Sequence, residues 1–141
     1  MTDNPVERRK CIRFAIPGSS LSFKPDNSDK VKVEYGEEFC PVADISRGGI
    51  RFLCKNSITL DSHINLKIAI PGEQIPLMLS GIVKWIGTSA GKNYSYQIGV
   101  QFYPYGEGKN QNYPGALVKI IALEQKFAPP EDLKKYTLID R

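Results

Sequence analysis

Two short stretches of the chain carry side chains suited to binding a nucleotide. Residues 8–13 contain three arginines and a lysine, and residues 44–49 contain an aspartate, a serine and two glycines. An arginine guanidinium offers planar donors for phosphate oxygens or for O6 and N7 of guanine, and its face can stack on a purine. Asp44 can accept a hydrogen bond from a base N–H, and Ser46 can donate or accept one. Together the two stretches predict a site for an anionic guanine nucleotide.

The first stretch leads into a segment with strand periodicity. Ile12, Phe14 and Ile16 alternate with other residues, so in an extended chain they face inward while Arg13 points away from the core. Arg9 lies four residues earlier, and this even offset favours the same side.

The second stretch reads as the tip of a β-hairpin. Ala43 and Ile45 can pack inward, which leaves Asp44 and Ser46 as neighbours on the opposite face. Residues 47–49 predict a tight turn with positive φ, and the two glycines let a ligand approach the main chain. The inward alternation then resumes in a returning strand at Ile50, Phe52 and Cys54.

The rest of the chain predicts a mainly β fold. Clusters of Gly, Pro, Asn, Ser and Asp separate segments with strand signals, and these segments are residues 12–23, 31–45, 50–55, 63–70, 76–87 and 94–103. We therefore expect six antiparallel strands in a small, split-barrel-like domain. A C-terminal α-helix over 114–127, with Pro114 at its start, is expected to pack on the barrel through Leu117, Ile120, Ile121, Glu124 and Phe127.

The order and spacing of the two motifs resemble the PilZ domain, the bacterial receptor module for cyclic di-GMP. Arg9 and Arg13 form an Arg-x-x-x-Arg pattern preceded by Arg8, and an Asp-x-Ser-x-x-Gly pattern follows about thirty residues later. Residues 81–85 and 96–102 look like later strands of that family, so the resemblance covers nearly the whole chain. It implies a stand-alone, single-domain member.

This resemblance implies roles for individual residues. Arg9 and Arg13 are expected to bind a guanine edge and phosphates, while Asp44, Ser46 and Gly49 are expected to hold a guanine base.

The resemblance also implies further ligand contacts. Arg8, just before the motif, implies a mutually intercalated dimer of cyclic di-GMP in place of a single molecule. Trp85 resembles a ring found near the ligand in some members, although its neighbours also fit packing in the core or at the rim. The residues implied as additional contacts are Lys10, Arg47, Gly48 and Trp85.

The resemblance also implies an organisation and a function. Residues 1–13 are expected to form a flexible basic arm, residues 14–127 the barrel with its closing helix, and residues 128–141 a charged tail. Like charges in the arm repel one another without ligand, and two phosphates would remove this repulsion and order the arm. We thus expect a cyclic di-GMP receptor or adaptor that signals to an unidentified downstream protein.

Enzyme chemistry has little support in the sequence. His63 is the only histidine, and no serine or cysteine stands in a pattern that would supply a nucleophile with its base. The cysteines at 11, 40 and 54 have neither disulfide-framework nor zinc-ribbon spacing. We expect no catalytic residue, no metal and no cofactor.

The net charge and the distribution of apolar residues indicate where the protein is located. The 141 residues have a net charge of +4, from 19 basic and 15 acidic residues. No apolar run approaches the roughly 20 residues of a membrane-spanning helix, and the N-terminus lacks the apolar core of a signal peptide. These features predict one cytoplasmic domain.

Two other functions fit parts of the pattern. A basic β-barrel could bind RNA or single-stranded DNA through the arm and surface aromatics, with steep salt dependence, although the net charge is modest and nucleic acid is the less favoured ligand. A PilZ-like adaptor without ligand could act through protein contacts alone, but the intact motifs argue against it. Taken singly, the basic run fits a solvated arm and the second motif fits an ordinary turn.

Overall fold

The structure is a computed structural model that describes residues 12–26, 39–91 and 93–133. The parts of the predicted arm, of the predicted 31–45 strand and of the predicted tail that fall in 1–11, 31–38 and 134–141 lie outside the described residues. The described elements are β1 (Ser20–Pro25), β2 (Cys40–Ile45), β3 (Gly49–Cys54), β4 (His63–Ala69), β5 (Leu77–Thr88), β6 (Tyr96–Phe102) and α1 (Pro114–Phe127).

The six strands form a closed antiparallel barrel in the order β1-β2-β3-β6-β5-β4. The β1–β4 ladder runs from the pair Ser20–Ala69 to the pair Pro25–Ile64, and the β1–β2 pairs among the described residues are Ser20–Pro41 and Leu21–Cys40. The predicted mainly β, six-stranded barrel with a C-terminal helix is confirmed.

Alternating apolar residues fill the barrel. On β3, Ile50, Phe52 and Cys54 are buried while the residues between them are half-buried, as their period of two predicts. Phe52 is fully buried, and its ring centre lies 5.8 Å from that of Phe23 on β1. The same alternation is found on β6, where Ile98, Val100 and Phe102 are buried.

The first predicted strand, residues 12–23, is interrupted. Ile12, Phe14 and Ile16 are buried and Arg13 is exposed, as expected. However, a turn at Pro17 and Gly18 separates this lead-in segment (residues 12–16) from β1. Gly18 has φ +79°, a conformation that glycine adopts without steric cost. The single strand predicted here is therefore wrong.

The lead-in segment takes the place of β1 along much of β2. Phe14 forms an antiparallel bridge with Ile45 through N–H to O contacts of 3.0 and 2.9 Å. The amide of Val42 donates to the carbonyl of Ser19 at 3.1 Å. These bonds pair the part of β2 that extends beyond the start of β1.

Helix α1 spans the predicted residues and begins with Pro114 in its first turn. Ile120 and Glu124 are buried as expected, and the inward face also includes Ala116 and Leu123. The helix ends where the amide of Ala128 donates to the carbonyl of Glu124 at 2.9 Å, just before two prolines that cannot continue it.

A polar chain joins β1, β4 and the end of β6. The hydroxyl of buried Tyr103 donates to Asp26 Oδ2 at 3.1 Å, and Nδ1 of His63 lies 2.6 Å from the same hydroxyl. His63 is exposed. Burial, together with the hydrogen bond and negative charge of Asp26, raises the pKa of Tyr103 from 10.0 to about 12.

This raised pKa predicts a loss of stability in strong alkali. The folded state retains the phenol proton that the unfolded chain releases, so the contribution is complete below about pH 10 and is lost as the pH rises towards about 12. Denaturant unfolding at several pH values should show that Tyr103→Phe removes this part of the decline. The control is Tyr113→Phe, at a side chain 76% exposed. An equal decline in wild type and Tyr103→Phe would contradict the prediction.

Candidate functional site

A solvent-facing cleft of about 690 Å³ brings residues of both predicted motifs together. It is lined by the lead-in segment, by the ends of β2 and β3 with the bend between them, and by β5 and β6. The lining residues are Arg13, Asp44, Ser46, Gly48, Gly49, Ile50, Arg51, Lys84, Trp85, Gly99, Val100 and Gln101.

Most of the described residues predicted to bind ligand lie in this cleft. Of those residues, only Arg47 is not among the lining residues. Arg8, Arg9 and Lys10 lie outside the described residues.

Backbone pairing places Arg13 beside the second motif. Phe14 is bridged to Ile45 in an antiparallel pair, so the residue before Phe14 is a neighbour of the residue after Ile45. These residues are Arg13 and Ser46, and both line the cleft.

Asp44 is held by an arginine that the sequence analysis did not select. Ala43 is the extra residue of an irregularity in β2, after which Asp44 pairs with Arg51 on β3. Nη2 of Arg51 donates to Oδ2 of Asp44 at 2.6 Å, while the buried Nε of Arg51 has no hydrogen-bond partner in the described part of the chain. The alternation of β3 could have revealed Arg51, because Arg51 is two residues from Gly49 and therefore lies on the same outward face of the strand.

The bend at residues 46–49 is built by a side chain. The hydroxyl of Ser46 accepts from the amide of Gly48 at 3.2 Å, and the amide of Ser46 donates to the carbonyl of Gly49 at 2.8 Å. Among the described glycines, only Gly18 and Gly72 have positive φ. The positive φ predicted for this turn is therefore wrong, because the serine side chain closes the bend in its place.

Gly49 is required by crowding. A Cβ atom built on Gly49 would lie 2.5 Å from the carbonyl oxygen of Val100 on β6. This oxygen belongs to the paired main chain and has little freedom to move.

Trp85 lies at the rim of the cleft and not in the core. Its side chain is 47% exposed. Lys84 is the extra residue of an irregularity in β5, after which Trp85 pairs with Gly99. A Cβ atom on Gly87 or Gly99 would come within 2.6 or 3.3 Å of the Trp85 side chain. The two glycines thus let the indole lie against the sheet, where it offers a surface for a flat ligand.

The charges in the cleft favour an anion. Arg13, Arg51 and Lys84 line it together with one carboxylate, that of Asp44. Lys84 is 3.5 Å from Asp61, but both side chains are exposed, so the contact is weak. Lys84 and Gln101 were not selected from the sequence. Lys84 is itself the extra residue of an irregularity that periodicity does not reveal, whereas Gln101 lies opposite Gly49 in the β3–β6 ladder.

The described ranges contain no group of three or more His, Cys, Asp or Glu side chains arranged to hold a metal ion. None of their helices has the length and apolar character needed to cross a membrane.

Comparison with known protein families matches residues 7–113 to the PilZ domain. The chain belongs to the PilZ domain family. The resemblance seen in the two motifs is thereby confirmed, and the family is one of cyclic di-GMP receptors and adaptors.

Solved structures show the same fold. The Bacillus subtilis inhibitor of motility, MotI/DgrA, is similar with a TM-score of 0.53 and 14% sequence identity. The match covers 89% of this PilZ chain and 53% of that chain, so this chain spans about half its length. A search of curated proteins found no significant match.

The crowding at Gly49 predicts a stability effect. Gly49→Ala should lower the free energy of unfolding of this PilZ domain by about 1–3 kcal/mol, as overpacking does elsewhere. Chemical denaturation measures this change. Gly91→Ala is the matched control, since a Cβ there would meet its nearest neighbour at an ordinary 3.6 Å. Equal stability of the two variants would refute the argument.

Proposed function

We propose that this PilZ domain is a cytoplasmic, non-enzymatic receptor for cyclic di-GMP that signals to a downstream protein. One observation carries the proposal: Arg13 and the Asp44 and Ser46 side of the second motif line a single cleft. The family supplies the ligand class, and the cleft supplies suitable chemistry.

The cleft groups complement a guanine nucleotide. Arg13 and Arg51 can donate to phosphate oxygens or to the O6 and N7 edge of guanine. Asp44 uses one oxygen for Arg51, and a carboxylate can accept further bonds from the N–H groups of a base. Trp85 provides an exposed ring for stacking. The volume of about 690 Å³ falls within the range of roughly 300–1,000 Å³ for small-ligand sites.

The basic arm extends this site in the proposal. Arg8, Arg9 and Lys10 precede Arg13 by only a few residues, so the ligand phosphates can draw them towards the cleft that Arg13 lines. Relief of repulsion between these cations would order the arm on the 46–49 bend. The ordered arm would then present a surface for the downstream protein. With Arg8 present, the ligand is an intercalated dimer of cyclic di-GMP.

Separate titrations with three candidate ligands test the proposal. Cyclic di-GMP, GTP and a single-stranded oligonucleotide are each titrated into the full chain by calorimetry at 50 and 200 mM salt, conditions of about the range over which nucleic-acid binding weakens steeply. We expect saturable binding of cyclic di-GMP, with two molecules per chain and weak binding of the others. Preference for the oligonucleotide with a steep salt dependence would indicate a nucleic-acid protein. No binding of any of them would indicate an adaptor without ligand.

Arg13 is expected to contribute a large share of the affinity. Loss of a bidentate arginine contact costs roughly 1–3 kcal/mol, so Arg13→Ala should weaken cyclic di-GMP binding by about tenfold or more. The same titration measures this change. Lys109→Ala removes one positive charge from an exposed residue that does not line the cleft, and it should bind as wild type does. Unchanged affinity in Arg13→Ala would remove Arg13 from the site.

A further inference from the structure

The 46–49 bend is connected to helix α1 by an ion pair between a half-exposed arginine and a buried carboxylate. Arg47 donates from Nε to Oε2 of Glu124 at 3.0 Å and from Nη2 to Oε1 at 2.7 Å. Both oxygens of the carboxylate therefore receive the planar fork of one guanidinium, the geometry in which an arginine–carboxylate pair is strongest and most directional.

Glu124 has few alternatives to this pairing. Its side chain is 1% exposed, while that of Arg47 is 44% exposed. A buried carboxylate without a partner is costly, so the arginine is held where the helix places the carboxylate. The position of residue 47 thus depends on how α1 packs on the barrel.

The main chain of the bend is held by the segment at and after β6. The hydroxyl of Tyr105 donates to the carbonyl of Arg47 at 2.6 Å. The amide of Phe102 donates to the carbonyl of Gly48 at 2.9 Å. Together with Glu124, these contacts hold residues 47 and 48 in addition to the serine hydroxyl that closes the bend.

We propose that Glu124 is a positioning residue for the ligand cleft, so that α1 sets the affinity of the site through Arg47. This inference rests on the proposed function. A bend already held in its bound geometry loses less conformational freedom when ligand binds. Because Ser46, Gly48 and Gly49 line the cleft and Arg47 lies between them, displacement of Arg47 moves the binding groups without removing any of them.

Coupling between two sites is reciprocal. If packing of α1 strengthens ligand binding, then bound ligand must strengthen the packing of α1 by the same factor. The cleft would thereby communicate with a helix that contributes none of its lining residues.

Three variants separate positioning from general stability. Glu124→Gln retains the size of the side chain but removes its charge. Arg47→Lys retains the charge but loses the fork. The double variant Arg47→Met with Glu124→Leu replaces the ion pair by apolar groups of similar size, a change that is often neutral or stabilising.

We expect each variant to bind cyclic di-GMP about tenfold more weakly than wild type, with the double variant retaining the wild-type melting temperature. Hydrogen exchange should show that ligand protects the amides around Glu124 in wild type and not in the double variant. Lys126→Ala, on the same helix at an exposed position, should leave both properties unchanged. If the double variant does not fold, Arg47→Lys at native melting temperature provides the affinity measurement.

The outcomes are distinct. Wild-type affinity in a stable double variant or in Arg47→Lys would overturn the positioning role alone. Unchanged or tighter binding by Glu124→Gln would also overturn it, because release from Glu124 would free Arg47 for a direct ligand contact. No binding of cyclic di-GMP by wild type would overturn the proposed function and this inference together.

Discussion

The candidate site depends on one antiparallel bridge. The two hydrogen bonds between Phe14 and Ile45 join a segment that precedes the barrel to the strand that leads into the bend. Phe14 and Ile45 are both buried in the core, while the residues that precede them, Arg13 and Asp44, line the cleft. The same short pairing thus packs apolar side chains in the core on one face and places Arg13 in the cleft on the other.

The surface of the cleft is shaped by glycines as much as by functional groups. At Gly49 the main chain of β6 approaches too closely for a side chain, and at Gly99 the Trp85 ring occupies the space that one would need. Both constraints come from paired strands and not from flexible loops. This part of the cleft is therefore built on paired strands of the barrel.

Local periodicity explains part of what could be predicted from the sequence. The alternation of inward and outward residues predicted that Arg13 and Asp44 face away from the core, and the resemblance of the two motifs to the PilZ family implied that they share one site. The same alternation extends to Arg51, although it was not applied there. The position of Trp85 depends on an irregularity in β5, which the sequence pattern does not reveal. The partnership of Arg47 with Glu124 joins residues 77 positions apart, and only the packing of the helix against the barrel determines it.

The bridge between the lead-in segment and β2 has a consequence for self-association. Ile45 on β2 makes both hydrogen bonds of this bridge with Phe14. Detachment of that segment would expose unpaired amide and carbonyl groups on β2, a template on which strands of other molecules can assemble. A ligand that holds Arg13 in place would therefore also protect the barrel against intermolecular strand pairing.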